Sequence, residues 1–205
     1  TVGETVGETV VGRDRFVREA LAGELQAAVD AEAVVAPLLM MRGSLETGGA
    51  ESVGDRSGLR VGGVMVYGVD RRFWDLTQHG KLPVPRVGEV VLSEGVAGQL
   101  GRRLSVGEDV RLWMELPNAI PRDSLLGERD DDTIDLPLKV QGVVGQDDPV
   151  ARRGVGRFGL NPSQQAPKVA FVALETLQQT LSLQQRRVRN REQRRFDEYP
   201  ARVNT

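Results

Sequence analysis

Apolar positions along the chain change their period several times, and those changes mark out candidate elements. Between Asp14 and Val29, the residues Val17, Leu21, Leu25 and Ala28 recur at helical spacing, which predicts an amphipathic helix capped by Asp14. Val34–Ser44 reads as a strand. Glu46–Gly58 follows as a Gly/Ser/Glu loop without apolar periodicity. Leu59–Val69 reads as a valine-rich second strand ending in the turn signal Gly68-Val69-Asp70. Phe73-Trp74 opens a short helical turn, Gly80–Gly88 is a proline-bearing loop, and Glu89–Leu92 is a short strand. Ser93 is placed to cap a helix carrying Val96, Ala97 and Leu100, and Gly101 to end it.

From Gly107 the period drops to two. Val110, Leu112, Met114 and Leu116 alternate with Arg111, Trp113 and Glu115; Leu136, Leu138 and Val140 alternate with Pro137, Lys139 and Gln141. Both runs predict half-buried antiparallel strands, because only period-two spacing turns one face of a strand to the core. An acidic loop, Gly127–Asp132, separates them, and a Gly/Arg/Pro-rich loop, Gly145–Pro167, follows. Lys168–Ala173 reads as a buried strand, and Leu174, Leu177 and Leu181 as one face of a helix. The opening TVGETVGETV repeats a TVGE unit too short for a solenoid, leaving strand and frayed end both open. The order predicts an α+β chain in two parts: an α+β unit from residues 1–106 and 168–205, interrupted by a β-rich unit at 107–167.

Composition narrows the chemistry. The 205 residues are 40% hydrophobic and 27% charged, which is ordinary for a globular chain, and aromatics are only 4%, so Val, Leu and Ala must build most of the core. A net charge of −2 gives no general case for nucleic acid. The absence of cysteine excludes disulfides, thiolate nucleophiles and cysteine-ligated zinc. No apolar run approaches the ~20 residues of a membrane span. The amino end, with Glu4 and Glu8, does not read as a signal peptide, so a water-soluble piece is expected whatever its parent.

Several constellations invite a sharper reading. Glu128, Asp130, Asp131 and Asp132 could gather calcium, but carboxylates at alternate positions around a glycine hinge are missing, so a solvated loop is expected. His79, the one histidine, could join Asp75 and Ser93 as a catalytic set; a polar loop histidine is the plainer account. Gly154–Gly159, GVGRFG, echoes a phosphate-binding glycine loop but lacks the Lys-Ser/Thr that would follow. Phe73 and Trp74 are expected to be core pegs beneath the GVD turn rather than a partner surface. Arg186, Arg187, Arg189, Arg191, Arg194 and Arg195, relieved only by Glu192, form the one strong charge run; it could meet anionic headgroups or an acidic partner, but a solvated helix or disordered insertion is the plainer account. No catalytic, cofactor-binding or metal-binding residue is assigned, and no cofactor is expected.

Six segments in order carry a resemblance: GRDRFVREALAGEL, VYGVDRRFW, GEVVLSEGVAGQLG, VGEDVRL, KVAFVALETLQQTL and ARVNT. Together, across about residues 10–183 and 201–205, they resemble the periplasmic domain of MacB/FtsX-type ABC transporter permeases. The chain departs from the commoner pattern in its insertions around Gly127–Asp132 and Arg186–Pro200. The resemblance implies a porter-like α+β subdomain interrupted by a mainly β one, hung between two membrane helices outside the bacterial inner membrane. It also implies a dimer of permease subunits, a cytoplasmic ATP-binding subunit or domain, and a noncatalytic role coupling membrane-helix motion to substrate handling. Both chain ends should then lie side by side. A free-standing extracytoplasmic ligand-binding or adhesion domain is the alternative, and a carboxylate-pair hydrolase a distant third.

Overall fold

The computed structural model describes residues 16–30, 32–48, 59–76, 83–100, 104–115, 133–145, 155, 158–159, 166–190 and 195–204. Among them the chain is mixed, with more strand than helix. In chain order the elements are β1 (Val17–Arg18), α1 (Ala20–Ala28), β2 (Leu39–Thr47), β3 (Arg60–Val69), α2 (Arg71–Leu76), β4 (Glu89–Ser93) and α3 (Glu94–Gln99). Then come β5 (Asp109–Glu115), β6 (Thr133–Val144), β7 (Val169–Ala173), α4 (Leu174–Thr180), β8 (Arg186–Asn190), β9 (Arg195–Tyr199) and β10 (Arg202–Val203).

Six strands close into one barrel in the order β2-β3-β7-β4-β6-β5. The β3–β7 and β4–β6 pairs are parallel and the other four antiparallel. Closure leaves no free edge and gives every strand two partners. It also corrects the expected division at residue 107. β5 pairs with β2 through Gly43–Thr47, and β6 pairs with β4 through Glu89–Ser93, so strands from both expected units share one sheet and one core. Period-two alternation identifies a strand with one buried face, and nothing in it says which strand lies alongside.

Alternation decides what each barrel strand buries. Val64, Val66, Val90, Leu92, Ala170 and Val172 join Leu45, Leu112 and Met114 in the main core, while their neighbours Tyr67, Val69, Val91, Val169 and Phe171 build a second cluster on the opposite face. β3, β4 and β7 are therefore apolar on both faces, which accounts for their continuous valine-rich runs. Phe73 and Trp74 of α2 are buried in the second cluster, their rings tilted against Phe171 at centroid distances of 5.5 and 5.3 Å, as core pegs. Leu174, Leu177 and Leu181 place α4 on the main core, on the predicted face.

The first predicted helix needs the larger correction. Val17 lies in β1, paired with Val203, and the helix begins only at Ala20. Asp14 lies outside the described residues. Ala22 is the buried position of α1, while Leu25 is exposed, so the predicted Val17/Leu21/Leu25/Ala28 stripe is not the packed face. A β-branched residue with a partner strand at hand gains a ladder that local helical spacing does not foresee. The strand expected at Val34–Ser44 runs instead from Leu39 to Thr47, taking Glu46 and Thr47 from the expected loop. Ser93 is not a side-chain cap for α3. Its buried hydroxyl donates to the Pro167 carbonyl at 2.7 Å and accepts the Val169 N–H at 2.9 Å, stitching β4 to the start of β7.

Two turns are built alike. In Arg86–Glu89 and Ser105–Glu108 the fourth residue's N–H donates to the first residue's carbonyl, at 2.9 and 3.2 Å, and each glutamate Oε2 accepts the first residue's N–H, at 3.0 and 3.1 Å. Gly88 and Gly107 stand at φ +81° and +87°, the left-handed conformation that the third position of such a turn demands. Both turns then bond the same stretch of β6: the Lys139 N–H reaches the Gly88 carbonyl at 2.9 Å, and the Val140 N–H reaches the Glu108 carbonyl at 2.8 Å.

Candidate functional site

The imagined catalytic set is not assembled. The Ser93 hydroxyl, in a fully buried position, donates its proton to one backbone group and accepts from another. Asp75 lies exposed on α2, and His79 is outside the described residues. Among the described residues no group of three His, Asp or Glu side chains could hold a metal ion. The acidic run Glu128–Asp132 lies outside the described residues. From GVGRFG, Val155 is buried and Phe158 packs edge-on against Tyr67 and Phe73 at 5.2 and 5.0 Å, so these residues anchor the second core cluster. Of the arginine run, β8 and β9 hold Arg186, Arg187, Arg189 and Arg195; Arg191 and Arg194 lie outside the described residues.

Polar side chains converge elsewhere, where the chain comes in and goes out. β1 and β10 pair antiparallel, Val17 with Val203 and Arg18 with Arg202, so the segments leading into β1 and out of β10 lie at the same end of this ladder. The Glu19 N–H extends the ladder to the Ala201 carbonyl at 2.8 Å. Gln178, buried on α4, donates from Nε2 to Glu19 Oε2 at 2.8 Å and to the Arg202 carbonyl at 3.2 Å, gripping both terminal segments at once. Arg72 lies between the Glu19 carboxylate, at 3.5 Å, and Asp70 of the GVD turn, at 2.6 Å. Asn204 closes the set: its Oδ1 accepts the Met40 N–H at 2.7 Å and its Nδ2 donates to the Met40 carbonyl at 2.8 Å.

What this junction supplies is mechanical: incoming chain, outgoing chain, α4 and the first barrel strand are tied by charge-assisted and buried hydrogen bonds. The Gln178 bonds carry most weight, since exposed ion pairs contribute little. Glu19 lies within GRDRFVREALAGEL, Gln178 within KVAFVALETLQQTL and Asn204 within ARVNT, and nothing in the motifs themselves marks the three as a set. The available signal was Gln178 itself, a polar residue one position past Leu177 on an otherwise apolar helix face.

No helix among the described residues is long and apolar enough to cross a membrane. No protein-family model and no curated protein matches the chain. Among solved structures, the crystal structure of the periplasmic region of MacB from Actinobacillus actinomycetemcomitans matches at 14% identity with a TM-score of 0.41. The match covers 81% of this chain and 59% of that one, so the chain spans less than two thirds of the structure it is similar to.

Proposed function

We propose that this chain is an extracytoplasmic domain of an ABC transporter permease, a noncatalytic module through which motion of membrane helices reaches a substrate-handling surface. The single observation that carries the reading is the antiparallel pairing of Val17 with Val203, which directs both flanking segments to one side. A domain inserted between two membrane helices must return both ends to one bilayer surface. The ordered run of six sequence motifs supports the same reading. In this account the ATP-binding subunit or domain lies in the cytoplasm, a second permease subunit completes a dimer, and the junction of Glu19, Gln178 and Asn204 transmits displacement of the helices to the barrel.

The test uses the parent protein in its membrane. The chain has no cysteine, and Val106, at the tip of the second turn, is 75% exposed. Val106→Cys is expected to react in intact spheroplasts with a maleimide that does not cross membranes. Reaction only after lysis would put the domain on the cytoplasmic side and overturn the proposal. Reaction in a parent shown to lack membrane helices would favour a free-standing extracytoplasmic binding domain.

A further inference from the structure

We infer that α1 is where two copies of this chain meet, packed antiparallel about Leu25. The inference rests on the transporter reading only for what holds two copies side by side; the face itself follows from residues 18–34.

The first support is a helix that its own chain barely covers. Of the nine residues Ala20–Ala28 only Ala22 is buried, and Glu19 at the start makes no side-chain cap. So short a helix, with Gly23 inside it, is marginal in water without tertiary cover. The apolar residues set at helical spacing do not supply that cover, since Leu21 is half-buried while Leu25 and Ala28 are exposed. Val29, at the C-cap, and Val34 enlarge the apolar surface, at 42% and 41% exposure. Gln26 ties the segment carrying Val34 to the helix, donating to the Ala33 carbonyl and accepting the Val35 N–H, each at 2.8 Å. A stripe of helical period that faces away from the core is placed for a partner.

The second support is self-complementarity about Leu25. Leu21 stands four residues before it and Val29 four after; Arg18 stands seven before and Glu32 seven after. A two-fold axis through Leu25 sets that residue against its own copy and Leu21 against Val29 of the second copy. The same axis directs Arg18 toward Glu32 of the second copy and Glu24 toward Gln26, so no like charges are opposed. Within its own chain Arg18 holds Glu24 in an exposed pair at 2.7 Å, which costs little to exchange. A bilayer surface is the poorer occupant: Glu24, Asp30 and Glu32 flank the stripe and Arg18 is the one cation in the segment, the reverse of the charge that anionic lipids attract.

The experiment oxidises single-cysteine variants of the purified protein, which has no cysteine of its own. Leu25→Cys, on the axis, is expected to form a disulfide-linked homodimer about tenfold faster than Val106→Cys, which is 75% exposed in the turn before β5. A mixture of Leu21→Cys and Val29→Cys, one of them carrying a size tag, is expected to give the mixed dimer in preference to either homodimer. Arg18→Glu added to Leu25→Cys should slow crosslinking about fivefold, and Glu32→Arg added to both should restore it, which a fold damaged by the first change would not allow. Leu25→Cys crosslinking no faster than Val106→Cys, or no preference for the mixed dimer, would overturn the inference. Anionic phospholipid vesicles that shield Leu25→Cys from a water-soluble maleimide, with no crosslink formed, would overturn it too and give the face to lipid. The spheroplast labelling of Val106→Cys reports on the transporter reading separately, so either can fail without the other.

Discussion

The carboxamide of Asn204 takes the place of a neighbouring strand on Met40, accepting its N–H at 2.7 Å and donating to its carbonyl at 2.8 Å. Both backbone groups of a residue at the second position of β2 are thereby satisfied by one side chain from the other end of the chain. Asn204→Ala leaves both half-buried groups without that partner, and a loss of about 1–3 kcal/mol is expected in urea denaturation. Asn204→Asp keeps the acceptor but sets a carboxylate oxygen against the Met40 carbonyl, so it should fare no better than alanine. A variant as stable as wild type, with unchanged exchange at the Met40 amide, would remove the clamp from this account.

Gly43 marks the closest approach in the barrel wall. A Cβ there would lie 2.3 Å from the Trp113 carbonyl oxygen, in the β5 strand paired across from it, and the β2–β3 register shifts between Gly43 and Ser44. The obstructing atom is backbone in a closed sheet and cannot swing aside. Gly43→Ala is expected to cost about 1–3 kcal/mol or more, as overpacking does in rigid cores. An unchanged denaturation midpoint would show that the barrel yields there.

Sequence reading reached the strands and helices packed against the core, and stopped at how they are joined. β3, β4, β5, β6, β7 and α4 lie where their valine runs or alternations predicted, because burial of one or two faces writes itself into local periodicity. Closure of the barrel was not legible: it depends on β5 finding β2 and β6 finding β4, contacts between residues far apart in sequence whose faces would suit other neighbours equally. Val17 shows the same limit at small scale, since its helical spacing to Leu21 was real and its strand partner, Val203, lay at the far end of the chain. The junction residues were hidden for a third reason. Glu19, Gln178 and Asn204 are ordinary polar residues, and only their convergence gives them a role.

Ser93 offers a test of the link between β4 and β7. Its hydroxyl bridges the Pro167 carbonyl and the Val169 N–H from a position with no exposure to solvent. Ser93→Ala leaves a buried N–H and a carbonyl without that bridge, and about 1–3 kcal/mol of destabilisation is expected by thermal or chemical denaturation. If the residue served only as the start of α3, alanine would cost far less than this, because the structure shows no side-chain cap to lose.

The junction can also be locked. The Glu19 N–H bonds the Ala201 carbonyl, which makes that a hydrogen-bonded pair; the next pair along the ladder, Arg18 with Arg202, is then of the non-bonded kind. Such pairs bring Cα atoms to about 4.5 Å, within the span a disulfide accepts. Both arginines are exposed, and the Arg18–Glu24 ion pair, with side chains 55% and 51% exposed, contributes little that substitution would forfeit. Arg18→Cys with Arg202→Cys, in a chain otherwise free of cysteine, is therefore expected to oxidise readily and to stabilise the fold by about 2–4 kcal/mol, as disulfides closing long loops do. If the parent is the ABC permease proposed above, the lock distinguishes two ways of coupling. If the junction carries motion as a rigid tie, ATP turnover by the oxidised protein should match that of the reduced one, because Val17 and Val203 never separate during the cycle. Turnover lost on oxidation and restored by a reductant would show that the two segments part as the transporter works, and the rigid-tie account would have to be abandoned.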